Sequence, residues 1–374
     1  MHKTPASLRS AKTVLSVAFS CALMACATTA PQSHPSAVTN CQPFENTQPI
    51  CKFSNPEDLA LVPGSSVLIV SEFGDYHGTQ PGALVFYDYA TQQRRIAYDG
   101  RDTHIADQVW GDASCLAPPG EVFSPHGIDL SRRTDGRWQL LVIQHGGRES
   151  VEFFELIGVP DNLRLIWRGC AIAPGKASLN SVAAIDGGSM FVTNMQSIDS
   201  SWQGDADAPE PATGRVYRWH KTTGFEQVPG SRGSMPNGIA ATRDGSSIFV
   251  AYSGENRIRK LDASSGAVLA ERTVPAADNL KWSADGSTLL AASFTGSQDS
   301  AVFAACTLSA VGVCPIDFAI VALAPATLAT QILFENGAAP MGAGTVGLKI
   351  GSDLFIGTFS GNRILRVDLG VEHE

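Results

Sequence analysis

Apolar and polar positions along this chain repeat as a unit. The stretches "EDLALVPGSSVLIVS", "HGIDLSRRTDGRWQLLVIQH", "NSVAAIDGGSMFVTN", "NGIAATRDGSSIFVAYS", "DNLKWSADGSTLLAAS" and "GTVGLKIGSDLFIGTFSGNRILRVDL" are relatives of one another. In each, a short apolar strand runs into a Gly/Asp turn and then into a second strand rich in Val, Ile, Leu and Phe, the pattern of a β-hairpin. With Asp58, Gly127, Ser181, Gly238, Leu280 and Val346 taken as equivalent, the copies lie 69, 54, 57, 42 and 66 residues apart. A minimal four-stranded propeller blade needs about 40–50 residues, so these intervals leave room for long loops. No stretch carries a long amphipathic helical period, which removes helix-based and doubly wound architectures. The pattern predicts an all-β fold: a six-bladed β-propeller over residues 41–374, one domain in which each blade buries its faces against its neighbours. Residues 195–214, with their acids, prolines and Trp202, read as a long loop, either a surface insertion or a lid.

The first residues serve another purpose. Residues 1–12 carry Lys3, Arg9 and Lys12 without an acid, residues 13–25 are an apolar run, and Leu23-Met24-Ala25-Cys26 matches a lipoprotein signal-peptidase site. That run is too short to span a bilayer permanently, so residues 1–25 read as a signal peptide. Cys26 is the candidate lipidated N-terminus, with ordinary cleavage nearby as the alternative. Residues 26–40, rich in Ala, Thr, Pro and Ser, read as a flexible tether. The expected product is exported and membrane-anchored, in the periplasm or at the cell surface, and touches the membrane only through its lipid. Without the signal the chain has 24 basic and 36 acidic residues, a net charge of −12, and no electrostatic reason to bind nucleic acid. Six cysteines follow Cys26, and an even number in an oxidising compartment favours disulfides. Proximity in sequence pairs Cys41 with Cys51 and Cys306 with Cys314, leaving Cys115 with Cys170, and none has zinc spacing.

Candidate chemistry sits where the hairpins begin. Glu57 and Asp278 are carboxylates, and Asn180, Asn237 and Asn279 are amides, at the loop-to-strand junctions of four different repeats, Asp278 and Asn279 sharing one. In a propeller such junctions converge on the central channel. Oxygen donors without His or Cys suit calcium, and two carboxylates match its charge. Singly each residue reads as well as a turn or a cap. His126 opens one strand of a hairpin turning near Thr134-Asp135-Gly136, and His145 ends its antiparallel partner, so both fall at one edge of one blade. Two neighbouring imidazoles are candidates for general-base work.

The chain resembles the paraoxonase/arylesterase family of six-bladed, calcium-dependent hydrolases, itself related to the regucalcin/gluconolactonase family. The resemblance runs from Glu57 to Leu369 and rests on "PEDL", "SPHGI", "VIQH", "LNSV", "PNGIAATRDG", "ADNLKWSADG" and "GTVGLKIGSDLFIGT" in the family's order. It implies that Glu57, Asn180, Asn237, Asp278 and Asn279 hold a catalytic calcium and that His126 and His145 form a dyad activating water. The implied activity is hydrolysis of lactones, aryl esters and, in some members, organophosphates. The family's second, structural calcium implies Asp58 as a ligand, but Ser181 stands where the family has another acid. Val367 stands where the family has a cysteine closing the propeller, so closure should rest on strand pairing or other bridges. Met195 and Gln196 replace a polar Asp-His pair, which should alter the pocket wall. A sugar lactonase of the gluconolactonase kind and a non-catalytic calcium- or ligand-binding propeller are the rival readings.

Overall fold

The computed structural model describes residues 40–74, 80–104, 110–197, 213–296, 314, 316–336 and 340–370. The signal segment, Cys26 and its tether, Cys306 and most of the loop at 195–214 lie outside the described residues. Among the described residues the chain forms six four-stranded antiparallel sheets. Their innermost strands are Pro56–Leu61, Pro125–Arg132, Ala177–Ile185, Pro236–Ala241, Ala277–Trp282 and Gly344–Ile350, which define blades one to six. Each inner strand packs against that of the next blade, and the sixth packs back on the first. This is the six-bladed propeller that the repeats predict.

Alternation along the second strands explains why they are apolar throughout. In Val67–Glu72, Val67 and Ile69 point into the cluster shared with blade two, while Leu68 and Val70 point into the cluster shared with blade six. With a side-chain period of two, a strand sandwiched between two other sheets must be apolar on both faces. Six apolar clusters result, one per blade interface. The outermost strands have one partner and face solvent, and their sequences, such as Gln93–Tyr98 and Val268–Thr273, are largely exposed.

The ring closes without a cysteine in its last strand. Thr47–Ile50 becomes the outer strand of blade six by pairing with Ile364–Asp368, Thr47 opposite Val367. Val367 is buried in the cluster between blades five and six, so the position that lacks the sulfur carries core packing instead. The closing strand is bracketed by the disulfide Cys41–Cys51. A second disulfide, Cys115–Cys170, ties the segment before blade two to that blade's outer strand, Arg164–Ile172. Both pairings agree with the expectation from sequence. Cys314 is also disulfide-bonded.

Because Cys41–Cys51 holds both ends of the closing strand, replacing both cysteines by serine should lower the melting temperature by roughly 3–8 °C. Scanning calorimetry on the two proteins checks this; an unchanged melting temperature would mean that strand pairing alone secures the ring.

Candidate functional site

Every inner strand begins with an irregularity. The register with the second strand shifts between Pro56 and Asp58, Pro125 and Ile128, Leu179 and Val182, Pro236 and Ile239, Ala277 and Leu280, and Gly344 and Val346. Those bulges contain Glu57, His126, Asn180, Asn237, Asp278 with Asn279, and Thr345. A bulge frees a residue from the ladder and re-aims its side chain. Here the six bulges lie near the start of six inner strands that pack against one another around the ring. The glycines of "PHGI" and "PNGI" belong to this geometry and not to turns: a Cβ on Gly127 would lie 2.5 Å from Asn180 O, and one on Gly238 would lie 2.3 Å from Asp278 O. Four of the inner strands are entered through a non-glycine residue with positive φ, at Asn55, Met235, Ala276 and Ala343, so backbone strain gathers at this end of the channel.

Six of the seven side chains named from sequence are linked by hydrogen bonds or by charge, and Asn180 occupies the matching bulge of blade three. Asn279 Nδ2 donates to Glu57 Oε1 at 2.6 Å across 222 positions of sequence. His126 Nε2 is 3.5 Å from the same oxygen. Asp278 accepts a hydrogen bond from Asn237 and feels the charges of Glu57, His126 and Asp58. Asn180 Nδ2 reaches Met195 Sδ at 3.8 Å, which puts one of the two unusual wall residues against the cluster. Threonines hold the backbone behind these groups: Thr345 Oγ1 donates to Glu57 O at 2.7 Å, and Thr193 Oγ1 to Asn237 O at 2.6 Å.

What the cluster lacks is partners for its oxygens. Glu57 Oε2, Asn180 Oδ1, Asn237 Oδ1 and Asn279 Oδ1 are all buried and none has a hydrogen-bond partner. They come from four blades. Each such group costs about 1–3 kcal/mol, so a partner that satisfied all four would add several kcal/mol of stability. Burial, reinforced by Glu57, also pushes the Asp278 carboxyl well above the usual range. A hard divalent cation answers both deficits, and the donor set, all oxygen with two carboxylates, fits calcium.

The histidines meet as well. His126 Nδ1 and His145 Nε2 are 2.9 Å apart, and His145 Nδ1 is 2.9 Å from Glu149 Oε2. A carboxylate only accepts, so His145 donates from Nδ1 to Glu149 and accepts at Nε2 from His126 Nδ1. That order leaves His126 Nε2 toward Glu57. Burial disfavours the charged form of His126, but Glu57, Asp278 and Asp58 outweigh it and raise its pKa above the ordinary value. In His145 burial wins over Glu149, and the pKa is lowered. Gln144 fixes the chain on either side, its Oε1 accepting from Ser124 N at 2.7 Å and Gly146 N at 3.2 Å. The ring of Phe73 lies 4.8 Å from that of His126 and edge-on to His145 at 6.0 Å.

Sequence reasoning missed three groups here. Glu149 follows the dyad in "HGGRES", where nothing marks it apart from a loop acid. Phe73 follows the second strand of blade one just as His145 follows that of blade two, and blade alignment would have found it. Lys281 lies unmarked in the "DNLKW" repeat, and its Nζ is 2.9 Å from Asp58 Oδ2. Burial raises the Asp58 carboxyl to about 6 against the pull of Lys281.

No family model matches the chain, and no curated protein matches it. Among solved structures it is similar to a protein of unknown function from Bacteroides thetaiotaomicron, at 9% identity over 85% of this chain and 70% of that one, with a TM-score of 0.50. It is also similar to a luciferin-regenerating enzyme, at 13% identity over 86% and 93% of the two chains with a TM-score of 0.48. Regucalcin, a calcium-binding protein from Agrobacterium tumefaciens, gives 13% identity over 85% and 91% with a TM-score of 0.46. Likeness at such identities is one of fold. Among the described residues no helix is long and apolar enough to cross a membrane.

Carboxylates with raised pKa values stabilise the metal-free fold at pH values below those of the unfolded chain, near 3.8, and lose that contribution as pH rises through the folded values, about 6 for Asp58. A cation that neutralises Asp278 therefore has more to restore at high pH. The rise in melting temperature produced by millimolar calcium should be larger at pH 8 than at pH 5, as read by thermal denaturation with and without chelator. An equal rise at both would contradict the assignment of Asp278 to the cation.

Proposed function

We propose that this chain is a calcium-dependent hydrolase of lactones and aryl esters, exported and tethered to a membrane through Cys26. The observation that carries the reading is the set of four buried, unpartnered oxygens beside a buried histidine pair. Glu57, Asn180, Asn237, Asp278 and Asn279 would hold the cation, leaving some of calcium's six to eight positions to water and a substrate oxygen. When bound, it would supply polarisation of the substrate carbonyl and countercharge for the oxyanion.

The remaining work belongs to the chain. His126 Nε2 takes the proton from a water whose oxygen adds to the acyl carbon. The charge that His126 gains is stabilised by Glu57, while His145 Nε2 holds the ring through its Nδ1–H and Glu149 holds His145 in turn. On collapse the bond from carbon to the leaving oxygen breaks, and the proton returns from Nε2 to that oxygen. An ester and water become an acid and an alcohol, which stay in one molecule when the substrate is a lactone. No Gly-x-Ser-x-Gly elbow is present to supply a serine nucleophile. The Phe73 ring against both imidazoles favours acyl or aryl substrates over the hydroxyl-rich lactones of a gluconolactonase.

His126→Gln should leave calcium affinity and melting temperature near wild type and lower lactone turnover by about 10² to 10⁴. Glu149→Gln and His145→Gln should cost less, since they act through His126. Steady-state kinetics on a series of lactones and aryl esters checks this. If wild type binds calcium but turns over none of them, the ligand-binding propeller replaces the enzyme.

A further inference from the structure

Two residues past Asn279 on the inner strand of blade five, one level deeper in the channel, stands Lys281. Its ammonium is 2.9 Å from Asp58 Oδ2 and donates to Ile128 O. Asp58 is fully buried, with Oδ1 accepting from Leu59 N at 2.8 Å and Oδ2 from Ile128 N at 2.7 Å. Asp129, on the same strand as Ile128, accepts from Ala184 N at 2.7 Å and also feels the Lys281 charge. One ammonium thus joins blades one, two and five, and Asp129 extends the connection to blade three.

These partners are what a second divalent cation would need: a buried carboxylate oxygen and a backbone carbonyl converging from neighbouring blades. The third-blade position offers only Ser181, whose backbone N–H donates to Thr193 Oγ1. A carboxylate with two of its acceptor sites already filled by backbone N–H groups, facing a fixed positive charge, does not fit a divalent ion as well. A 2+ ion placed there would sit within contact distance of the ammonium, and like charges at that separation repel strongly in a low-dielectric interior.

We propose that Lys281 is a tethered cation standing in place of a second divalent ion, so that the channel takes one metal, at the level of Glu57, and needs none at the level of Asp58. Calcium then serves the upper level alone, and the fold survives its removal. The inference concerns Asp58, Ile128 and Lys281 and stands apart from the lactonase reading, although the count of one metal rests on it.

The test uses the full-length chain, freed of metal by chelator and titrated with calcium chloride in a calorimeter, with melting temperatures taken in chelator and in millimolar calcium. Wild type should bind one equivalent and unfold cooperatively in chelator. Lys281→Met, which keeps the stem and removes the charge, should melt about 5–10 °C lower in chelator because Asp58 is left buried and unpaired. Millimolar calcium should restore that loss through a second, weaker equivalent. Asp58→Asn combined with Lys281→Met removes both charges and should recover part of the stability without calcium, with no second equivalent; this variant decides the matter if Lys281→Met does not fold. Two equivalents in wild type, or a double variant no more stable than Lys281→Met, would overturn the inference. A wild type that takes no calcium, with Lys281→Met still rescued by it, would sink the site at Glu57 and uphold the role of Lys281.

Discussion

Six inner strands bury the polar groups at their ends, so those groups must satisfy each other or be satisfied by a bound ion or water. The upper level of the channel does this incompletely. Asn279 bonds Glu57 and Asn237 bonds Asp278, yet each of the first three keeps an oxygen without a partner. The lower level does it with Lys281 and backbone N–H groups. On the proposed reading, the unmet oxygens above would receive a removable ion, while the met carboxylate below helps hold the ring together. Strain at Asn55, Met235, Ala276 and Ala343 lies at the same end as the unmet oxygens, as expected where local structure yields to function.

That ring is stiff for reasons remote from the site. Each blade interface has its own apolar cluster, and the N-terminal strand closes the circle by pairing across 320 positions, Thr47 with Val367. Closure by pairing lets Val367 serve the core, while the nearby Cys41–Cys51 bridge restrains the closing strand itself. Displacing any inner strand would therefore move the groups of both levels at once. The close approaches at Gly127 and Gly238, where a single Cβ would collide with the next blade, show how little slack the channel has.

How much of this was legible in the sequence follows from burial. The first two strands of each blade are sandwiched, so their apolar runs and Gly/Asp turns stand out, and the blade number follows from them. The outer strands face solvent and carry residues such as Arg94, Arg95, Glu271 and Arg272, which resemble loops until a partner strand is in place. The five oxygen donors and two histidines were visible because each opens or closes a legible hairpin. Glu149 was hidden since its role depends on a loop that folds back to His145 and Leu179 N. Lys281 was hidden since alternation alone cannot tell a side chain facing water from one facing a closed channel.

Diffraction from crystals grown in calcium, with the anomalous signal used to locate the ion, tests the central claim most directly. The account predicts one ion held by Glu57, Asn180, Asn237, Asp278 and Asn279 at about 2.3–2.6 Å, the usual calcium–oxygen range. Amides turned to bond one another with no ion between them, or an ion beside Asp58 with Lys281 displaced, would contradict it.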